Sequence, residues 1–239
     1  MGIIVNIITL IILTIIGFVC GQIGKVCYEV LPCGDDEKEK PVFRKENFKY
    51  GFNLKFGIPT AIIFPLLYLK YGINVEFLLF SMLSVALIPV LAVDFKHYII
   101  PDKLNLFIAV LGIIYIVYLF ISMQTNLAID HILGGIIGGG IFLLLALISL
   151  VIYRQEGMGF GDIKLMLGLG FIFGIKSIIV LTLIAFVLSA VVCVGLLITK
   201  IKSLKEYIPF GPFICIAAIT LMFIDSGFFV DWYLNMLIK

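Results

Sequence analysis

Long apolar runs alternate with short polar interruptions along the whole chain. The hydrophobic stretches fall at residues 3–19, 56–70, 74–94, 104–121, 130–153, 162–174, 177–199 and 207–225, the sixth of them short. A helix rises 1.5 Å per residue, so about 20 mostly apolar residues cross the roughly 30 Å of bilayer hydrocarbon. The pattern therefore predicts an all-α, polytopic membrane helical bundle of about eight transmembrane helices. A single membrane domain over 1–239 is expected, with a first span at 1–19 and a polar loop at 20–53. The remaining spans fill 54–225, and 226–239 forms a C-terminal segment. That segment, "GFFVDWYLNMLIK", mixes Trp232 and Tyr233 with Asp231 and Lys239, a composition suited to the membrane interface. The N-terminal run has no basic leader and no small-x-small cleavage pattern, so it reads as a retained span.

Composition strengthens this reading: 62% of residues are hydrophobic and 13% charged, which is bilayer rather than soluble-core composition. The lipid bilayer is the expected surrounding. A net charge of +2 gives no reason to expect a nucleic-acid partner. The positions of the charges matter more than their sum. With the N-terminus outside, fourteen of the seventeen lysines and arginines fall on inner loops and span ends and three fall outside, a strong positive-inside bias. The five cysteines are odd in number, and Cys20, Cys193 and Cys215 lie in or beside apolar segments, where packing is the expected role.

Most acids sit in the polar loop or near outer span ends and read as solvated surface, but Asp94 and Asp162 differ. Asp94 ends the third span and Asp162 opens the sixth. Two spans lie between them, and an even number of crossings returns the chain to its starting side. Both carboxylates are thus expected at one membrane face, the cytoplasmic one under the orientation above. A charged group costs about 2.5–3.5 kcal/mol at mid-bilayer and less near the interface, which makes such acids functional candidates. The bland alternative is that each caps a helix or pairs with nearby Lys96 or Lys164. Both acids sit beside backbone punctuation: Pro101 follows Asp94, while Gly157, Gly159 and Gly161 precede Asp162. Glycine tolerates positive φ and lets another backbone approach closely, as an extended peptide substrate would require.

His97 and His131 have no serine or cysteine in a nucleophile motif nearby and read as interfacial residues. The stretch "GGIIGGGIF", with Gly134 and Gly138 at four-residue spacing and Gly135 and Gly139 likewise, predicts tight packing of the fifth span against the helices that carry the aspartates.

Three blocks, "DFKHYIIPDKLN", "GMGFGD" and "YIPFGPFICIAAI", together resemble the type IV prepilin peptidases, membrane aspartic proteases that remove leader peptides from prepilins and pseudopilins. The early "GFVCGQIGKVCYEVLP" is similar to that family's divergent first-span region. The resemblance implies a catalytic pair of Asp94 and Asp162, with Gly159 and Gly161 as motif glycines. It implies that the break at Pro209, Gly211 and Pro212 shapes the cavity near the aspartates; the plainer reading of those prolines is a broken entry into the last span. Pro101 and Asp102 belong to the first block. Asp102 is either a third functional acid or a first-turn aspartate favoured by the helix dipole, and the second reading is preferred. Glu156 is a candidate attractor for a basic leader.

The implied substrates are prepilin or pseudopilin precursors, and the implied location is the bacterial cytoplasmic (inner) membrane. No cofactor is needed for proteolysis, and S-adenosylmethionine enters only if the methyltransferase activity of many family members is retained. Those members carry two Cys-x-x-Cys pairs in the first cytoplasmic loop, whereas this chain has only Cys27 and Cys33 there. A structural zinc site takes four close ligands, so zinc is not expected. A rival reading is an ion- or proton-coupled transporter using the paired aspartates. It predicts acids spread through the membrane depth rather than gathered at one face.

Overall fold

The computed structural model describes residues 2–30, 54–154, 158–199 and 208–237, and among these residues the chain is helical throughout, with no strand. The described elements are α1 (Gly2–Val30), α2 (Leu54–Tyr71), α3 (Val75–His97), α4 (Asp102–Ile121), α5 (Thr125–Tyr153), α6 (Phe160–Ile198), α7 (Gly211–Phe223) and α8 (Ser226–Leu237). Five of them, α1, α3, α4, α5 and α6, are long and apolar enough to cross a membrane, and the number rises to six if the bent α7–α8 pair is one span. The protein is an all-α, polytopic membrane protein. It forms two compact units, Met1–Lys103 and Leu104–Lys239.

The elements depart from the apolar runs in three places, each with a local cause. First, α1 continues past residue 19 to Val30, because nothing in "CGQIGKVCYEV" forbids helix. Second, α2 holds only eighteen residues, with Lys55 and Lys70 near its ends and Pro59 and Pro65 inside, so it falls short of the others as a spanning segment. Third, the expected sixth and seventh spans are one 39-residue element, α6, interrupted at Gly174. At 1.5 Å per residue α6 would be about 58 Å long, nearly twice the hydrocarbon thickness, so the interruption divides it usefully. The segment expected at the interface is α8, turned by 95° from α7.

In the first unit, α1 lies against α2 through small residues. A Cβ on Gly17 would fall 2.6 Å from the Thr60 carbonyl oxygen, and one on Gly57 would fall 2.6 Å from the Phe18 ring. Lipid tails are as apolar as leucine, so membrane helices associate by close packing rather than by hydrophobic transfer. Thr60, fully buried, turns its hydroxyl to the Phe56 and Gly57 carbonyls at 3.0 Å. On α1, Ile7, Ile11, Ile15 and Val19 are each about half exposed, an i, i+4 stripe facing outward as a lipid-contacting face does.

The second unit repeats this logic around α6. The α5 glycines meet that helix directly: a Cβ on Gly138 would lie 2.7 Å from the Met166 carbonyl oxygen, and one on Gly135 would enter the Phe171 ring. The tight packing expected of "GGIIGGGIF" is thus observed, and its partner is the helix that carries Asp162. From α4, Gly112 approaches the same Phe171, where a Cβ would fall 2.5 Å away.

The break in α6 is held from α5. Gly174 adopts φ 76° and ψ 177°, a region open essentially to glycine alone. The N–H of Ile175 donates to Asp130 Oδ2 at 3.2 Å. His131 Nδ1 lies 3.1 Å from the Phe171 carbonyl oxygen, and since a carbonyl only accepts, this nitrogen carries the proton. His131 is buried, with Tyr115 edge-on at 5.3 Å between ring centroids. The two residues expected to be unremarkable outer-end groups therefore satisfy backbone atoms on either side of the break.

Candidate active site

Asp94 sits in the last turn of α3 with only 4% of its surface exposed. The helix ends immediately beyond it: Tyr98 takes a left-handed conformation, φ 58°, and its N–H donates to the Asp94 carbonyl at 2.9 Å. Pro101 then fixes the turn and is buried, and Asp102, exposed, is the first residue of α4. That is where the helix-dipole argument places a first-turn acid. His97, one residue before the cap, is exposed.

Asp162 lies at the opposite kind of helix end, three residues into α6, with 5% exposure. Its N–H donates to the Gly159 carbonyl at 3.1 Å. Gly159 precedes the helix in an extended conformation, φ −67° and ψ 138°, which any residue adopts. The reason for glycine here is space: a Cβ would stand 3.1 Å from Asp162 Oδ2. Of the two properties that glycine offers, freedom of φ and absence of a Cβ, the second is the one used at this position. The Oδ1 atom of Asp162 is buried and makes no hydrogen bond among the described residues. Lys164 places its ammonium 5.4 Å from the centre of the exposed Phe160 ring, a cation–π distance.

Gly161 is held by the last residue of the "DFKHYIIPDKLN" block, a position to which the resemblance assigns no role. Asn105, on the first turn of α4 and 3% exposed, donates its side-chain N–H to the Gly161 carbonyl at 3.0 Å. Its Oδ1 is buried without a hydrogen bond, a state that costs about 1–3 kcal/mol. A signal for this residue was present. Asn105, Ile108, Gly112, Tyr115 and Leu119 recur every three or four positions and all are buried, so helical periodicity alone puts the amide on the inward face.

The third block is placed by aromatic packing. Pro209, Gly211 and Pro212 are buried, and Pro212 enters the first turn of α7. Phe210 stands 5.8 Å from Phe142 of α5, 5.1 Å from Phe186 of α6 and 6.2 Å from Phe213, ring centre to ring centre. These separations are typical of attractive aromatic pairs. The motif thus anchors the start of α7 to the two helices packed at its side. Glu156, Cys33 and the polar stretch 31–53 lie outside the described residues, as does the side chain of Cys27.

Asp94 belongs to the first unit, while Asp162, its glycines, Asn105 and the Phe210 cluster belong to the second. Both acids are buried carboxylates at helix ends, and α4 and α5 separate them in the sequence.

The sequence profile of the type IV leader peptidase family matches residues 77–194. A "Leader peptidase HopD" of Escherichia coli is 32% identical over 58% of this chain and 82% of its own length. The chain belongs to the type IV leader peptidase family. A "Prepilin leader peptidase/N-methyltransferase" of Legionella pneumophila is 30% identical over 69% of this chain and 56% of that protein. One of the same name from Xanthomonas campestris pv. campestris is 29% identical over 75% and 64%. The chain therefore spans less than two thirds of the length of these two relatives. No solved structure matches. The segment common to the family includes Asp94, Asn105, Asp130 and Asp162, and it ends before the Pro209–Pro212 element.

Proposed function

We propose that this protein is an aspartic endopeptidase that removes the short basic leader from type IV prepilins or pseudopilins, with Asp94 and Asp162 as the catalytic pair. Membership of the type IV leader peptidase family supports the reaction class, and the names of the relatives support the substrate class. The observation that carries the assignment of residues is that both acids are buried at helix ends, at 4% and 5% exposure, while Asp102 is exposed.

The proposed chemistry is acid–base. One ionised carboxylate draws a proton from water, which attacks the scissile carbonyl. The other, protonated, carboxyl donates a hydrogen bond to the carbonyl oxygen and stabilises its developing charge. The roles then reverse as the amine leaves. Two adjacent carboxyls share one proton readily, because both cannot ionise at once without strong repulsion. The route needs neither a metal nor a cofactor and forms no covalent intermediate.

A shared face for the pair is supported by parity, since α4 and α5, both long and apolar enough to span, intervene. Counted with α2 as a crossing despite its shorter apolar stretch, the lysine and arginine distribution supports the cytoplasmic side of the bacterial inner membrane, with the N-terminus outside. At that boundary a peptide bond is reached without drawing polar backbone to mid-bilayer.

The test is leader removal from a prepilin in membranes carrying the wild type, Asp94→Asn or Asp162→Asn. Cleavage by the wild type and its loss in both variants is expected, and normal cleavage by both variants overturns the assignment. The mass of the new N-terminus in the same products reports whether a methyl group from S-adenosylmethionine is added.

A further inference from the structure

Asn105 stands out among the polar side chains of the second unit because its two ends are in opposite situations. Its Nδ2 donates to the Gly161 carbonyl at 3.0 Å, while its Oδ1 is buried with no hydrogen bond. The orientation of the amide is not arbitrary. A carbonyl cannot donate, so the NH₂ group must face Gly161 and the oxygen must face away from it. A buried acceptor left open is the kind of atom that a ligand completes. Asn105 is 3% exposed and comes from the first turn of α4, whose buried positions continue through Ile108, Gly112 and Tyr115. The amide is therefore held in place by packing on one side and by Gly161 on the other.

The residue after Gly161 is Asp162, and the turn that presents it is short. The Asp162 N–H donates to the Gly159 carbonyl, and the carboxylate lies so close that a Cβ on Gly159 would stand 3.1 Å from its Oδ2. A side chain that fixes the Gly161 carbonyl fixes the peptide plane immediately before the carboxylate.

We infer that Asn105 is a positioning residue for Asp162 whose open Oδ1 accepts a backbone N–H of the bound leader-peptide segment. The inference rests on the peptidase function proposed above. The ligand chemistry follows from the atom: an amide oxygen in a buried site takes a neutral N–H or O–H donor, and an extended substrate backbone supplies N–H groups at regular spacing. A water molecule is the competing donor. Binding of the substrate would then complete the hydrogen bonding of Asn105 and lock the Asp162 turn in one step, coupling recognition to the geometry of the carboxylate.

The experiment measures kcat and KM for leader removal from a synthetic prepilin peptide and from a series in which single backbone amides near the scissile bond are replaced by esters, which removes one N–H at a time. Wild type, Asn105→Ala and Asn105→Asp are compared, with Asp162→Asn as control and thermal unfolding of each purified protein in detergent. Asn105→Ala is expected to lower kcat/KM at least tenfold. One ester position is expected to weaken the wild type fivefold or more and to leave Asn105→Ala unaffected. Asn105→Asp keeps an acceptor of the same shape and is expected to retain the sensitivity to that ester even where its kcat is reduced. If Asn105→Ala does not fold, Asn105→Leu, which keeps the bulk of the side chain and lacks the acceptor, takes its place in the comparison. An ester series with no position more than twofold worse in wild type assigns the open oxygen to water and overturns the inference. So does a series with identical losses in wild type and in the Asn105 variant that lacks the acceptor. Cleavage by Asp162→Asn at the wild-type rate instead overturns the underlying peptidase assignment, whatever Asn105 does.

Discussion

The long helix α6 carries two polar sites, one at its start and one at its interruption, and they are built alike but finished differently. At the interruption, Gly174 has a conformation that only glycine holds comfortably, and α5 supplies Asp130 for the Ile175 N–H and His131 for the Phe171 carbonyl. At the start, Gly159 makes room for Asp162, and α4 supplies Asn105 for the Gly161 carbonyl. In the first site the neighbouring helix closes the hydrogen bonding of the backbone, and no side-chain atom of Asp130 or His131 is left buried without a partner. In the second, the supporting amide has an acceptor left over. Polar groups inside a membrane helix bundle are costly in either case. The difference indicates which of them is complete as scaffold and which waits for something else.

Substitutions that separate the two sites should change different observables. The largest effect is expected from Asp162→Asn, which keeps the shape and removes the proton chemistry. Leader removal should fall by about 10²–10⁴-fold, the usual worth of a positioned acid or base, with thermal unfolding in detergent little changed. At the interruption, Gly174→Ala should do the reverse. Holding alanine at that backbone conformation costs about 1–3 kcal/mol, and its Cβ would collide with Asp130 Oδ2. The melting temperature should drop, while the protein that remains folded should still cleave.

A finer test of the start site is Gly159→Ala. The added carbon would meet Asp162 Oδ2 at 3.1 Å, so the carboxylate must shift by a few tenths of an ångström. Sub-ångström displacement of a reacting group is expected to cost about tenfold in kcat, with unchanged stability because φ is ordinary there. The smallest effect is expected from Asp130→Ala, which removes the cap on Ile175. Loss of such a cap costs about 0.5–2 kcal/mol, and Asp130→Asn, which keeps an acceptor, should recover most of it in the same unfolding experiment. A strong loss of cleavage in folded Asp130→Asn would erase the distinction between the two sites.

The two sites were also unequally legible in the sequence. Asp94 and Asp162 stand out because a charge in an apolar run is rare and because proline or glycine punctuates the chain beside each. The glycines of α5 were readable as a packing face because small residues at four-residue spacing share one side of a helix. The interruption at Gly174 was not readable as a structured break. The apolar pattern simply stops near 174 and resumes at 177, which looks like a loop between two spans. The residues that hold it, Asp130 and His131, lie 45 and 40 positions away from Ile175 and Phe171 respectively, and hydrophobic periodicity carries no information about such pairing. Asn105 was legible by position but not by chemistry: its spacing marks the inward face, whereas its partner at Gly161 is set by tertiary packing across 56 residues. For Gly159, composition shows that a glycine is present without showing whether its backbone freedom or its missing side chain matters.

The central claim is that Asp94 and Asp162 act as one unit, and the most direct measurement is the rate of leader removal by Asp94→Asn, Asp162→Asn and the double variant, each checked for folding by thermal unfolding. Groups that share one proton fail together, so losses within such a unit do not multiply. The account predicts that each single variant falls to the same residual rate and that the double variant falls no further. A folded single variant that keeps a substantial fraction of wild-type cleavage, or a double variant whose loss is the product of two partial losses, would contradict it.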